Sequence, residues 1–257
     1  MYNLSETTIL RQRISNLNGF CFTIDIDWAS EFAIKNILDF FEENNIPLTV
    51  FSTHKSHYLE EKLSTIGLDV GLHPNFIFPS TQGNTIDTVI DYCHQMYPYA
   101  ESFRCHRWYS SNDIYDKLSR CGLKYESNIC TAFNLLPPFM HRSGLISFPT
   151  FFEDGAYLYH QLDLDFKNTE YLFSSPGLRV IDLHPMHFAV NTPYFKYMRD
   201  IKDRLQPSDW NNLDADNIKK LRFDGLGIKD YIQNLVEYIH THKLPVFSLK
   251  EIYRNII

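Results

Sequence analysis

Strand-like and helix-like runs alternate along nearly the whole chain, and this alternation narrows the fold more than any other feature. "GFCFTIDID" (19–27) reads as a strand. "ASEFAIKNILDFFEENN" then places Phe32, Ile34, Ile37, Leu38 and Phe41 at helical spacing behind a capping Ser30. "PLTVFSTH", "LDVGLHPNF", "ESFRCH", "LKYESNI", "GLISFPTFF" and "GLRVIDLH" read as further strands. The helices predicted between and after them are "YLEEKLSTI", "NTIDTVIDYCHQMY", "SNDIYDKLSRCG", "YFKYMRDIKDRL", "IKDYIQNLVEYIHTH" and "LKEIYRNI". Repeated β-then-α calls for a parallel sheet with helices outside. About seven strands favour a barrel over an open sheet, in a single domain spanning residues 1–257. Only 206–227, "QPSDWNNLDADNIKKLRFDGLG", breaks the pattern. It is polar and weakly periodic, and reads as a surface insertion or as a loop that covers a site.

Alternate residues of a strand share a face. Phe20, Phe22, Ile24 and Ile26 are therefore expected to pack under helices, with Cys21, Thr23, Asp25 and Asp27 pointing inward. Parallel barrels gather their reacting groups at the C-terminal strand ends, where Asp25 and Asp27 fall. Two anions so close, with Cα atoms ~7 Å apart, need a cation, a proton or solvent between them. Other strand ends are equally polar. His73 and Asn75 share a face before and after Pro74, Arg104 shares one with His106, and Asp182 shares one with His184 ahead of Pro185. His54 ends the second strand. A single such histidine would more often be structural, but several at one end of successive strands suit Zn²⁺ and similar divalent ions.

Composition bounds the partners. The formal charge of -7, with acids and bases interspersed, gives no basic stripe for nucleic acid. Apolar residues make up 44% and aromatics 15%, enough for a sizeable Phe-rich core. Cys21, Cys93, Cys105, Cys121 and Cys130 are scattered, with no C-x-x-C pair, which fits a reducing compartment. The polar start "MYNLSETTILRQRISNLNG" lacks the apolar stretch of a secretory signal, and no run is long enough to span a membrane. The expected location is the cytoplasm. The oligomeric state is left open.

In the order of these motifs, from Phe20 to about Asn191, the chain resembles the polysaccharide deacetylase family (the NodB-homology domain, carbohydrate esterase family four). The wording "TIDIDW", "GLHPNF", "RCHR", "FFEDG" and "DLHPMHF" looks like a branch associated with surface-polysaccharide biosynthesis. The resemblance implies a distorted (β/α)7 barrel that removes acyl groups, usually acetyl, from amide nitrogens of sugars. It implies a divalent metal, zinc first, with cobalt, nickel, manganese and iron also compatible. Carried over by position, Asp25 is the general base, Asp27 a metal ligand and His73 the first histidine ligand. Arg104 orients the base, Asp154 pairs with that arginine, and His184 is the general acid, with Asp182 as a candidate orienter of its ring.

Two departures matter. The family's first motif has adjacent acids, whereas Ile26 separates them here. The family's second motif carries another histidine four residues after the first, and that place is Ile77. His106 is the first substitute as third ligand, with His54 and Asn75 behind it. His187 is near His184 in sequence, but continued strand geometry turns it away unless Pro185 bends the chain. Competing readings are a non-catalytic saccharide-binding barrel with a degenerate site, a D-x-D glycosyltransferase, and an aspartyl-nucleophile phosphatase. The phosphatases normally carry Thr where this chain has Ala29. The expected substrate is an N-acylated sugar or a sugar-containing precursor.

Overall fold

The computed structural model describes residues 9, 10, 12–14, 16–63 and 68–257. The end of the second predicted helix, 64–66, and most of the polar start lie outside them. Among the described residues nine strands form one sheet: β1 (Gly19–Asp25), β2 (Leu48–Ser52), β3 (Leu68–Leu72), β4 (Ser102–Phe103), β5 (Tyr125–Glu126), β6 (Phe139–Met140), β7 (Ile146–Ser147), β8 (Thr150–Glu153) and β9 (Leu178–Leu183). They pair in the order β6-β7-β5-β4-β3-β2-β1-β9-β8. Every pairing is parallel except β6 with β7. β7 and β8 are one predicted strand interrupted near Pro149, since Pro supplies no donor to a ladder. At their junction Thr150 bridges Cys130, just beyond β5, and the sheet thereby curls into a distorted barrel. The predicted strands are present, but β4 and β5 are much shorter than their sequence windows.

The helices are α1 (Glu31–Glu43), α2 (His57–Lys62), α3 (Ile86–Met96), α4 (Asn112–Arg120), α5 (Asp154–Tyr159), α6 (Pro185–Val190), α7 (Phe195–Arg204), α8 (Pro207–Asn211), α9 (Ala215–Leu221), α10 (Ile228–Thr241) and α11 (Leu249–Ile256). α1 shows why the helical windows hold. The Ser30 hydroxyl accepts from the Ala33 amide, and Ala33, Ile34, Ile37, Leu38 and Phe41 form its buried face. The insertion at 206–227 contains α8 and α9, anchored by the buried Trp210 and Ile218.

The alternation along β1 divides the core as expected. Phe20, Phe22, Ile24 and Ile26 belong to the large cluster between sheet and helices. Cys21 joins Phe51, Tyr125, Phe148 and Val180 inside the barrel, with Leu249, Ile252 and Ile256 of α11. The Leu249 amide donates to Thr49 Oγ1 on β2, which seats α11 in the barrel's lower mouth. The upper interior is polar, lined by Thr23, Asp25, Arg104 and Asp182. Among the described residues no helix is long and apolar enough to cross a membrane. All five cysteines are free thiols.

Candidate active site

β1 stops at Asp25, two residues earlier than expected. Ile26 N–H still donates to Phe51 O, but Asp27 (φ 39°) and Trp28 (φ 54°) are left-handed. Asp27 therefore does not continue the inward face of β1 by strand alternation. The turn returns its carboxylate over the barrel mouth instead, held where Trp28 N–H meets Thr53 Oγ1 at 3.1 Å. His73 follows β3 and is almost fully buried. Pro74 ends that strand, and Pro74 O receives the His106 amide at 2.9 Å. His106 does not lie on β4 but opens a tight turn, His106–Trp108, in which Arg107 and Trp108 both have positive φ. That turn, rather than strand alternation with Arg104, delivers its ring to the site.

The result is a triad. Asp27 Oδ1 lies 2.9 Å from His106 Nδ1 and 3.2 Å from His73 Nε2. One ligand atom from each residue falls within 4.8 Å of the others. Donors bound tetrahedrally at zinc distances lie about 3.3 Å apart, so one carboxylate oxygen and two imidazole nitrogens at this spacing fit a small divalent ion. Burial pushes the Asp27 carboxyl up, but hydrogen bonds from His106 and His73 and the charges of His106 and His184 hold it well below the carboxylate range. The other two candidates are placed elsewhere. His54 Nδ1 contacts Thr53 Oγ1 at 3.0 Å. Asn75 Oδ1 accepts from the Ile77 amide. Buried Gln82 then ties the strand ends together, donating to Thr53 O and His73 O while accepting from the Asn75 amide.

Beneath the triad, Arg104 is fully buried. Its Nη1 donates to Asp25 Oδ1 and Thr23 Oγ1, both at 2.9 Å, and to Asp182 Oδ1. Nε donates to Ser127 O, and Nη2 to Ser127 Oγ and Thr150 Oγ1. Rings of Phe51 and Trp108 flank the guanidinium at 4.6 and 5.0 Å. Two acids thus share one arginine. Burial raises Asp182 well above the usual range, while Arg104 pulls it down and Asp25 pushes it up again. Asp25 Oδ2 remains turned toward His73 Nδ1, 3.7 Å away.

Two residues exchange the positions expected of them. Asp154 does not pair with Arg104; that place is taken by Asp182. Asp182 does not orient His184; Asp154 does. Asp154 Oδ1 lies 2.6 Å from His184 Nδ1, and its Oδ2 accepts the His184 amide at 2.7 Å. The swap arises because β8 runs directly into α5 at Asp154, beside the end of β9. Burial lowers the His184 imidazole, but Asp154's charge and hydrogen bond, with Asp27 and Asp182, lift it well above its ordinary value. Its Nε2 points back to Asp27 Oδ2 at 3.7 Å.

Glu153, the first acid of "FFEDG", is a site residue that the sequence reading passed over. It caps α5 through the Gly155 and Ala156 amides and lies 3.7 Å from His184 Nδ1. Burial, moderated by His184 and reinforced by Asp154, pushes its carboxyl to about 7. Its adjacency to Asp154 was the available signal. His187, through the bend at Pro185, packs edge-on to His184 at 5.7 Å and lines the same cleft.

The profile of the WbmS-like polysaccharide deacetylases matches residues 22–202. The chain belongs to the polysaccharide deacetylase family. A crystal structure from Bordetella bronchiseptica, assigned as a polysaccharide deacetylase involved in O-antigen biosynthesis, is 23% identical with a TM-score of 0.77. The match covers 88% of this chain and 96% of that one. A 4-alpha-glucanotransferase from Thermococcus litoralis is 12% identical with a TM-score of 0.56, over 93% of this chain and 38% of that one. Both likenesses concern the fold. No curated protein matches the sequence. Beside Asp27 this chain sets His73 and His106, and Ile77 occupies the position where a second histidine was expected.

Proposed function

We propose that the protein is a metal-dependent hydrolase that removes an acetyl or similar acyl group from an amide nitrogen of a sugar, within surface-polysaccharide biosynthesis. The observation that carries this reading is the stacking of three units at one barrel mouth: the Asp27–His73–His106 triad, the Asp25–Arg104 pair and the His184–Asp154 pair. Asp27, His73 and His106 would hold the ion. Bound there, a divalent cation supplies Lewis acidity toward the acyl carbonyl and lowers the pKa of water. The two other potential ligand sets, Asp25–Asp182–His184 and Glu153–Asp154–His184, are already engaged by Arg104 and by the His184 hydrogen bond.

Asp25 takes the proton of the attacking water. Its Oδ1 is fixed by Arg104, which leaves Oδ2, 3.7 Å from His73 Nδ1, as the oxygen that receives the proton. His184 gives its proton from Nε2 to the departing amine. Asp154 holds the opposite nitrogen, and the raised pKa keeps the ring protonated near neutrality. The Bordetella neighbour's role in O-antigen biosynthesis supports a saccharide made for the cell surface as the substrate class.

The test joins metal content to turnover. The purified protein should carry about one equivalent of divalent metal, and Asp27→Asn, His73→Ala and His106→Ala should each lose most of it. Asp25→Asn should keep the metal and release acetate from N-acetylated sugars at a small fraction of the wild-type rate. Full acetate release by all four variants would sink the scheme.

A further inference from the structure

One wall of the cleft carries charge that none of the three units uses. Beside the triad opens a cavity of about 400 Å³, within the size range of small-ligand pockets. Its floor includes Asp27, His106, Glu153 and His184. The other wall is cationic, with Arg107 from the turn after β4 and Arg199 and Lys202 from α7. Among the described residues neither Arg107 nor Lys202 has an ion-pair partner, and Arg199 spends only its Nε on Asp203. Lys202 Nζ lies 5.1 Å from the centre of the Trp210 ring. Trp210 is 7% exposed, yet its indole N–H has no acceptor. The Trp210 ring lines the cavity wall beside Lys202, while its N–H is enclosed. A neutral sugar's hydroxyls both donate and accept, whereas an oxyanion presents acceptors alone, which suits a wall of cationic donors. Phe195, edge-on to Tyr159 at 5.5 Å, adds an aromatic surface on the same wall.

We propose that this cavity binds an anionic group on the sugar substrate, a carboxylate or a phosphate, through Lys202, Arg199 and Arg107, with the Trp210 ring backing Lys202, while the acylated nitrogen lies at the triad. The inference rests on the reading of the site as a sugar amide hydrolase and names the substrate class within it. It also gives the insertion at 206–227 a function, since Trp210 comes from α8.

Binding is read without turnover, by calorimetric titration at low salt. The probes are N-acetylglucosamine, N-acetylglucosaminuronic acid and N-acetylglucosamine 1-phosphate. At least one anionic probe should bind ten-fold or more tightly than the neutral sugar, and that preference should weaken with added salt. The stronger of the two identifies the anion as carboxylate or phosphate. The double variant Arg199→Ala/Lys202→Ala should lose most of the preference, while the exposed control Lys219→Ala should retain it. Equal affinity for neutral and anionic probes, binding of none of them, or an unchanged preference in the double variant overturns the proposal. If the preference holds but no probe is deacylated, it is the hydrolase reading that falls. If acyl release persists without any preference, only this proposal falls.

Discussion

Asp154 and Asp182 look interchangeable as letters, each an acid near a histidine or arginine in sequence, yet their burial and partners push their carboxyls in opposite directions. Asp154 is held below the carboxylate range: burial raises it, but His184, His187 and the hydrogen bonds from His184 outweigh that cost. Asp182 is driven the other way. Replacing Asp154 by Asn keeps the shape but removes the charge that fixes the His184 tautomer. Asp154→Asn should therefore lower kcat by about 10² to 10⁴ while leaving metal content near wild type. Metal loss on the scale of His73→Ala would place Asp154 in the ion's shell instead. The residue types and their order were legible in the sequence. The exchange of partners was not, because β8 runs into α5 without a loop and sets Asp154 beside β9, a juxtaposition that strand alternation does not encode.

At the scale of elements, the site depends on how closely three neighbouring strands approach one another. Gly71 on β3 pairs with Phe51 on β2. A Cβ built there would come within 2.6 Å of the Phe51 ring and 2.5 Å of Ser102 Oγ. Phe51 in turn lies under the Arg104 guanidinium. Gly71→Ala should cost about 1–3 kcal/mol by overpacking, measured by denaturant unfolding. It should also lower kcat more than it raises KM, because the displaced ring shifts Arg104 and with it Asp25. A stable variant with unaltered kinetics would show that the ring moves freely. The strands themselves were readable from their two-residue period, and β1 sorted its side chains as that period demands. The turns were harder. His106 was chosen from a strand alternation that β4 is too short to sustain, and it reaches Asp27 through two left-handed residues, Arg107 and Trp108, whose types give no warning of that conformation.

The whole molecule sets an electrostatic cost at the barrel end opposite the site. Asp69 is buried where α11 enters, accepting from Tyr125 OH at 3.1 Å and Thr49 Oγ1 at 3.3 Å, with Lys250 Nζ at 3.8 Å. Burial, only partly offset by Lys250 and these hydrogen bonds, raises its carboxyl from 3.8 to about 6. A raised acid contributes stability that is full below its unfolded pKa and disappears as pH rises through the folded one. Between pH 4 and pH 7 the wild type should therefore lose about 2 kcal/mol from this group. Asp69→Asn should flatten that slope, which urea midpoints across the range would read; parallel curves for the two proteins would rule it out. The barrel with helices outside was predictable from the alternation of elements. The plug formed by α11 was not, since its apolar face is that of any amphipathic helix.

Thr150 performs two tasks at once. Its backbone bridges Cys130 and joins the curled sheet, and its hydroxyl accepts from Arg104 Nη2 at 3.0 Å. The wall of the barrel therefore has a seam, and the seam is fastened to the arginine that aligns the base. Breathing of the sheet and loosening of the site become one motion. A saccharide that immobilises Asp25 and Arg104 should slow amide hydrogen exchange at Thr131, Thr150 and Phe133, whose amides donate across the join. Exchange at Val50 and Val70, in the continuous wall, should hold steady. Substrate would then be felt as a stitch in the sheet, at amides it never touches.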